Sequence, residues 1–380
     1  MHRDTELVHF DPLPEDPFHA NSTPIYQTAT FALESALGGG QYDYSRSGNP
    51  TRTVVEKQVA KLEQGKYAFA FTSGMAAINA LTGLLKSGDH IIAGDDLYGG
   101  TYRLLTKRLT THRGITVSFV DLTDLEQVKQ AFRQNTRLVL IETPSNPLQK
   151  IANLAAIAEI SHEHNAWLAV DNSFMSPWLQ QPLKFGADVV IHSATKFLSG
   201  HSDVTGGFLI TNNDTIADEI RFIQNAEGYA LAPFDCWLIL RGLKTLGIRV
   251  SRQQSNAELI VDYLQTCPVI KKVYYPSLSN HPDSKIHKQQ SGGGGSVICF
   301  ETGNNNLSQQ IVNNTQLFNI SVSCGSIHSS ISMPVNMSHL SIPETERTIA
   351  SDIIRLSIGI EHPDDLIADL KLACAVHSKS

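Results

Sequence analysis

The chain has 380 residues, 41% of them hydrophobic and 18% charged, with 26 Gly and 16 Pro; that is ordinary globular composition, long enough for two or three domains, and it excludes collagen-like, coiled-coil and wholly disordered chains. Thirty Lys and Arg against 37 Asp and Glu give a formal charge of −7, so no global positive field exists to hold a phosphate backbone, and nucleic acid is not an expected partner. The first residues, Met1 to Phe10, are polar where a secretory signal needs an apolar stretch, and no run of about 18 uncharged apolar residues occurs, so a cytoplasmic protein that does not enter a membrane is expected. Residues 1–48 show no sustained periodicity and read as an extended arm.

From residue 49 to 235 short apolar runs alternate with helical stretches. The runs are Ala68–Phe71, His90–Ala93, Val117–Val120, Leu138–Glu142, Leu168–Asp171 and Val189–His192, and good helix candidates begin at Met75 and Ala152. Strands alternating with helices predict βαβ units with right-handed crossovers and a mainly parallel sheet, an α/β domain. Near residue 235 the pattern changes. A long helix from Asp235 to about Leu264 is followed by strand-like pieces at Lys272–Tyr275 and Ser296–Phe300, predicting a smaller α+β domain over 236–380. Ser291-Gly-Gly-Gly-Gly-Ser leads into a strand and opens no helix, so it reads as a bend or bulge. The cysteines, Cys236, Cys267, Cys299, Cys324 and Cys374, form no C-x-x-C pair, which suggests neither a disulfide framework nor a thiolate metal site, and a reducing compartment.

The chemistry concentrates at strand ends. The segment Asp188–Gly207 runs from a buried-type strand into Ser193, Thr195 and Lys196, two hydroxyls and an amine at the carboxyl end of a sheet strand, where ligands bind in open α/β sheets. A lysine leaving an apolar strand is suited to lose its proton and form a Schiff base. Asp171 ends the preceding strand, and a carboxylate facing an amine across a crevice suits a pyridine cofactor held between them. Thr72-Ser73-Gly74-Met75 follows a strand and opens a helix, which makes a phosphate seat. Tyr98, flanked by glycines, could stack on a ring. Plainer readings stand beside these: a surface lysine, a Ser N-cap with a glycine turn, and an exposed loop tyrosine.

With those pieces in view the chain resembles the Cys/Met-metabolism family of pyridoxal-phosphate enzymes. The resemblance rests on blocks in family order: Tyr44-Ser-Arg46-Ser-Gly-Asn-Pro-Thr-Arg, Thr72-Ser-Gly-Met, Tyr98-Gly-Gly, Glu142-Thr-Pro-Ser-Asn146-Pro, Val170-Asp171-Asn-Ser, Ser193-Ala-Thr-Lys196-Phe-Leu-Ser-Gly-His-Ser-Asp and Arg355-Leu-Ser-Ile-Gly-Ile-Glu. It implies a fold type I transferase-like architecture with pyridoxal 5′-phosphate bound at Lys196. Asp171 would pair with the ring nitrogen and Tyr98 stack on the ring; Gly74, Met75, Ser193 and Thr195 would hold the phosphate, and Asn146 would lie near the ring oxygen. Arg355 would clamp the substrate α-carboxylate, with Ser323, Ser329 and Tyr44 near the substrate. Tyr44 and Arg46 would reach into a neighbouring subunit's site, so a homo-oligomer is implied, commonly a tetramer in this family.

Within the family the resemblance is to plant-type cystathionine β-lyases, carried by Glu227–Thr245 and by Ile331–Pro343. It implies α,β-elimination of L-cystathionine to L-homocysteine, pyruvate and ammonia, without a metal. Gly100 stands where methionine γ-lyases carry a cysteine, and His328 stands where γ-acting members usually carry a glutamate; His328 also reads as a solvated loop residue. A γ-lyase or γ-synthase of the same family is the alternative, and a catalytically silent homologue or a nucleotide-binding module is the rival of another class. The plant enzymes carry an organelle-targeting extension that this chain lacks, which points to a bacterial cytosolic relative. Arg103, Lys107, Arg108 and Arg113 read as a solvated helix face, and Cys324 as a packed thiol.

Overall fold

The apolar runs of the first half become one seven-stranded sheet in the computed structural model, which describes residues 1–9, 16, 18–338 and 349–375. Its strands are β1 (Tyr67–Phe71), β2 (His90–Gly94), β3 (Thr116–Val120), β4 (Thr136–Glu142), β5 (Trp167–Asp171), β6 (Val189–Ser193) and β7 (Gly207–Thr211), in the spatial order β1-β7-β6-β5-β4-β2-β3. Pairs from β3 to β6 are parallel, and β7 runs antiparallel to both β6 and β1. The sheet is therefore mainly parallel, and β1, beyond the reversed β7, points the same way as β4, β5 and β6. Their carboxyl ends share one edge.

The strands read as near-continuous apolar runs because both faces are covered. On one face Val54, Val55 and Val59 of the helix Pro50–Glu63 pack against Val190, Phe208 and Ile210. On the other, Ala77, Ile78 and Leu81 of the helix Gly74–Thr82, with Ile216 and Ile220 of Asp214–Ala226, pack against Phe69, Ile91, Ile191 and Leu209. A fully buried side chain such as Phe208 contributes about 1.5–3 kcal/mol by leaving water. The Pro50–Glu63 helix starts where it does because the Asn49 side chain accepts the Thr51 and Arg52 N–H groups and Pro50 needs no donor, a cap worth ~1 kcal/mol.

A second sheet holds β8 (Lys272–Tyr274), β9 (Val297–Glu301), β10 (Asn319–Ile320), β11 (Ser330–Ser332) and β12 (Ile354–Ser357), ordered β10-β11-β12-β9-β8. It packs on Leu246–Thr266, Asn305–Asn314 and Pro363–Ala375. The single helix expected from Asp235 to Leu264 is two, Pro233–Leu243 and Leu246–Thr266. A Cβ at Gly242 would lie 2.3 Å from the Ser199 carbonyl oxygen, so the first helix must end tight against the Lys196 loop. Arg249, 4% exposed, then donates to the carbonyls of Phe197 (2.9 Å), Leu198 (3.4 Å) and Gly242 (2.8 Å), tying the loop to the second helix.

The arm is not extended throughout: Arg3–Val8 is helical, with Leu7 buried and Arg3 donating to the Trp178 carbonyl at 2.7 Å. Residues 18–48 carry isolated bridges such as Thr30 to Tyr44 and leave Leu33 and Leu37 exposed. The glycine run bends between the helix Ser284–Gln290 and β9. Arg103, Lys107 and Arg108 are exposed on the helical stretch Gly99–Arg113, and Arg113 is half-buried. Residues 339–343 of the Ile331–Pro343 segment lie outside the described residues. No helix among the described residues is long and apolar enough to cross a membrane.

Candidate active site

Strand ends converge on a cavity of about 230 Å³. From β1 the chain turns through Ser73, whose hydroxyl accepts the Ala76 N–H at 3.0 Å, and the first helical residues, Gly74 and Met75, line the cavity. Two glycines make that turn possible. A Cβ at Gly74 would meet Ser193 Cβ at 2.9 Å, and a Cβ at Gly207 would lie 2.3 Å from the Ser73 carbonyl oxygen. The helix start is an electropositive end beside the hydroxyls of Ser193 and Thr195.

From β6 the chain leaves Ser193, whose N–H donates to Ser173 Oγ at 2.7 Å, passes Thr195, whose hydroxyl accepts the Gly206 N–H at 3.1 Å, and reaches Lys196. Lys196 Nζ donates to Ser323 Oγ at 2.8 Å, a bond between the first sheet's edge and a loop of the second sheet. From β5 comes Asp171, whose carboxylate accepts the Ser173 N–H at 3.0 Å. Burial raises its pKa, while the Ser173 hydrogen bonds and the charges of His192 and Lys196 pull it back.

Beside it β4 ends in Glu142, the register partner of Asp171. Burial pushes Glu142 well above the usual carboxylate range, and the Asp171 charge adds to the effect. Glu142 Oε2 accepts the Tyr98 N–H at 2.9 Å. The Tyr98 ring, 41% exposed, lies against Gly100, where a Cβ would approach ring Cε1 to 2.4 Å. Arg355 reaches over from β12 and is 3% exposed; its guanidinium donates to Asn146 Oδ1 and to the Val322 carbonyl, each at 2.9 Å.

The cavity thus gathers Gly74, Met75, Tyr98, Asn146, Asp171, Ser193, Thr195, Lys196 and Arg355, with Ser323 joined through Lys196. Other residues singled out in the sequence lie elsewhere. Tyr44 is 43% exposed, with the Arg46 guanidinium 5.4 Å from its ring centre and Arg46 Nε donating to Asn225 Oδ1 at 3.1 Å; neither lines the cavity. Ser329 is fully buried away from it, donating through its hydroxyl to Glu361 Oε2 at 2.9 Å and accepting the Gly359 N–H. His328 is exposed and outside the lining. Cys324 is a buried thiol, and it is part of the wall. Sequence reading passed over Glu142, Ser173, Phe174, Thr205 and Val322. Glu142 carried the same signal as Asp171, an acid ending an apolar strand; Phe174 and Val322 carried none, because loop side chains reveal their direction only in three dimensions.

An amine, two half-buried carboxyls, a fixed guanidinium and a helix start with two hydroxyls share one space. Such a set can condense with an aldehyde, pair with a cationic ring nitrogen, seat a phosphate and clamp a carboxylate. The family described as Cys/Met metabolism PLP-dependent enzyme matches residues 4–375. A chloroplastic cystathionine beta-lyase of Arabidopsis thaliana is 51% identical over 361 residues, covering 94% of this chain and 78% of the relative. A cystathionine gamma-lyase of Bacillus subtilis (strain 168) is 44% identical over 97% of this chain and 98% of its own. The crystal structure of cystathionine gamma-lyase from Lactobacillus plantarum complexed with L-serine superposes with a TM-score of 0.96 at 43% identity, covering 99% of both chains.

Proposed function

The chain belongs to the Cys/Met metabolism family of PLP-dependent enzymes, and we propose that it is a carbon–sulfur lyase that cleaves L-cystathionine at its β-carbon, giving L-homocysteine, pyruvate and ammonia. Its cofactor is pyridoxal 5′-phosphate. The observation that carries the reading is that Lys196 enters the same cavity as Asp171 and Arg355.

The residues present fit the cofactor, since the glycines at 74 and 207 leave the helix start beside Ser193 clear of side chains. Lys196 would carry the aldehyde carbon and Asp171 would face the ring nitrogen. The helix start at Gly74 and Met75, with Ser193 and Thr195, would hold the phosphate; Tyr98 would cover the ring, and Asn146 would lie near the ring oxygen. When bound, the group supplies a carbonyl that exchanges amines and a protonated ring that accepts electrons from the substrate α-carbon.

The chain's own residues do the rest. Arg355 takes the α-carboxylate in its fork, and Asn146 with the Val322 carbonyl keeps the fork from turning. The Lys196 amine, parked on Ser323, removes the proton from the substrate α-carbon. Asp171 would hold a proton on the ring nitrogen, the thiolate leaving the β-carbon would take up the proton carried by Lys196, and water would convert the remaining three-carbon fragment to pyruvate and ammonia. Ser323, bonded to Lys196, would meet the substrate beside it, and Ser329 supports the same loop through Glu361.

We place Tyr44 and Arg46 in a neighbouring subunit's site, because neither lines its own chain's cavity and the arm that bears them is exposed. The working unit is then a homo-oligomer built on a dimer, with a tetramer as its full assembly, in the cytoplasm. The arm over 1–48, the cofactor domain over 49–235 and the domain over 236–380 divide the labour accordingly.

The test is product analysis with L-cystathionine. Homocysteine and pyruvate are expected; cysteine and 2-oxobutyrate would establish the γ-lyase reading, which the likeness to the Bacillus subtilis and Lactobacillus plantarum proteins favours.

A further inference from the structure

Glu142 has no part in the assignments above, yet it sits where a second negative charge would do harm. It ends β4 beside Asp171 at the end of β5, in register, and parallel neighbours lie about 4.7–4.9 Å apart. Both line the cavity. Two half-buried carboxylates so placed repel each other, which favours a proton on one of them. The surroundings choose between them. Asp171 has the Ser173 hydrogen bonds, with His192 and Lys196 near enough to lower its pKa. Glu142 has the Tyr98 amide and the more distant Arg355, against repulsion from Asp171 and from Asp96.

On the reading that this cavity holds pyridoxal phosphate, we propose that Glu142 is a positioning residue working as a neutral acid. Its carboxyl holds the Tyr98 amide, sets the turn whose ring covers the cavity, and leaves the negative charge on Asp171. Asp95 and Asp96 anchor the start of the turn through Val120, Lys150, Ser145 and Leu148, and the Glu142 carboxyl holds its Tyr98 end, where the tyrosine caps the following helix without a side-chain bond and its ring rests on Gly100.

Glu142→Gln keeps an acceptor for the Tyr98 amide but cannot ionise, whereas Glu142→Ala removes the hold. Each apo-protein is reconstituted with pyridoxal phosphate, and its dissociation constant is read from visible absorbance. Glu142→Ala is expected to bind about five- to tenfold more weakly, the net worth of the one hydrogen bond that holds Tyr98, and the glutamine to restore binding to within about twofold of the parent. The second measurement needs no cofactor. The folded state of the apo-protein holds the Glu142 proton more tightly than the unfolded chain does, so its thermal midpoint falls as pH rises through that raised pKa, and Glu142→Gln lacks this component.

Glutamine binding as weakly as alanine, alanine binding as tightly as the parent, or identical pH dependence in the parent and Glu142→Gln would each overturn the proposal. If Glu142→Ala does not fold, the glutamine affinity and the pH comparison decide. A parent protein that shows no cofactor band would instead sink the reading of the site, and the apo pH comparison would still settle the state of Glu142.

Discussion

Lys196 and Arg355 share one cavity, but they are asked for different things. Lys196 supplies a bond and a proton carrier, so Lys196→Ala is expected to abolish the visible band and lower turnover by ~10³-fold or more, read by absorbance and steady-state kinetics. Arg355 supplies orientation. Arg355→Ala should keep the colour and raise KM about 10- to 100-fold, the worth of one charge-assisted pair; a colourless variant, or unchanged kinetics, would remove it from the substrate clamp. At this scale much was legible, because Lys196, Asp171 and Ser73–Met75 each follow an apolar run directly and strand ends are where ligands gather. Arg355 and Asn146 were placed by resemblance alone. Their partnership at 2.9 Å joins residues 209 positions apart in the chain, and no local pattern encodes it.

Among the elements, the reversed strand β7 shapes the site most. Gly207 opens it directly beneath the turn that starts the Gly74–Thr82 helix, and a Cβ there would lie 2.3 Å from the Ser73 carbonyl oxygen, a backbone atom that cannot swing aside. Gly207→Ala should therefore push the helix start off its seat and weaken cofactor binding by about tenfold or more, measured by absorbance titration, with a lower thermal midpoint. Binding unchanged in that variant would show that the seat does not depend on this contact. Sequence reading did not isolate β7, because its apolar run follows a loop of polar residues and glycines that carries the catalytic-type motif and drew the whole stretch into it. The helix pair at 233–266 was merged for a related reason. The apolar spacing continues across Lys244 and Thr245, while the first helix ends packed against the Ser199 backbone at Gly242, a contact between distant segments.

Across the whole molecule, the exposed arm carries a testable consequence. A mixture of Lys196→Ala and Arg46→Ala subunits, each inactive or nearly so alone, should regain activity when refolded together, because one hybrid site then has a native Lys196 and an intact neighbour's arm. Activity no higher than the sum of the two parents would return Arg46 to its own chain. Stability should also carry an acid signature. His90, between Thr136 Oγ1 at 2.8 Å and Ser118 Oγ at 2.9 Å, and His287, on the Gly293 carbonyl at 2.7 Å, are both pushed down to about 4 from 6.5, burial being the largest cause. The unfolded chain then binds more protons than the folded one between those values, so stability is lost as pH falls from about 6.5 to about 4. His287→Gln should flatten part of that fall in pH-dependent melts; an unchanged slope would exclude His287 as a source.

The amino-acid order by itself determined the α/β class, most strand positions and the acid and amine at strand ends, because burial on both faces forces apolar runs and the residues that interrupt them stand out. Tertiary structure decided which interruptions meet. It turned β7 around, split a helix at Lys244 and Thr245, seated Ser329 away from the cavity and set Glu142 against Asp171. Those outcomes depend on contacts between residues far apart in the chain, and short-range periodicity holds no record of them.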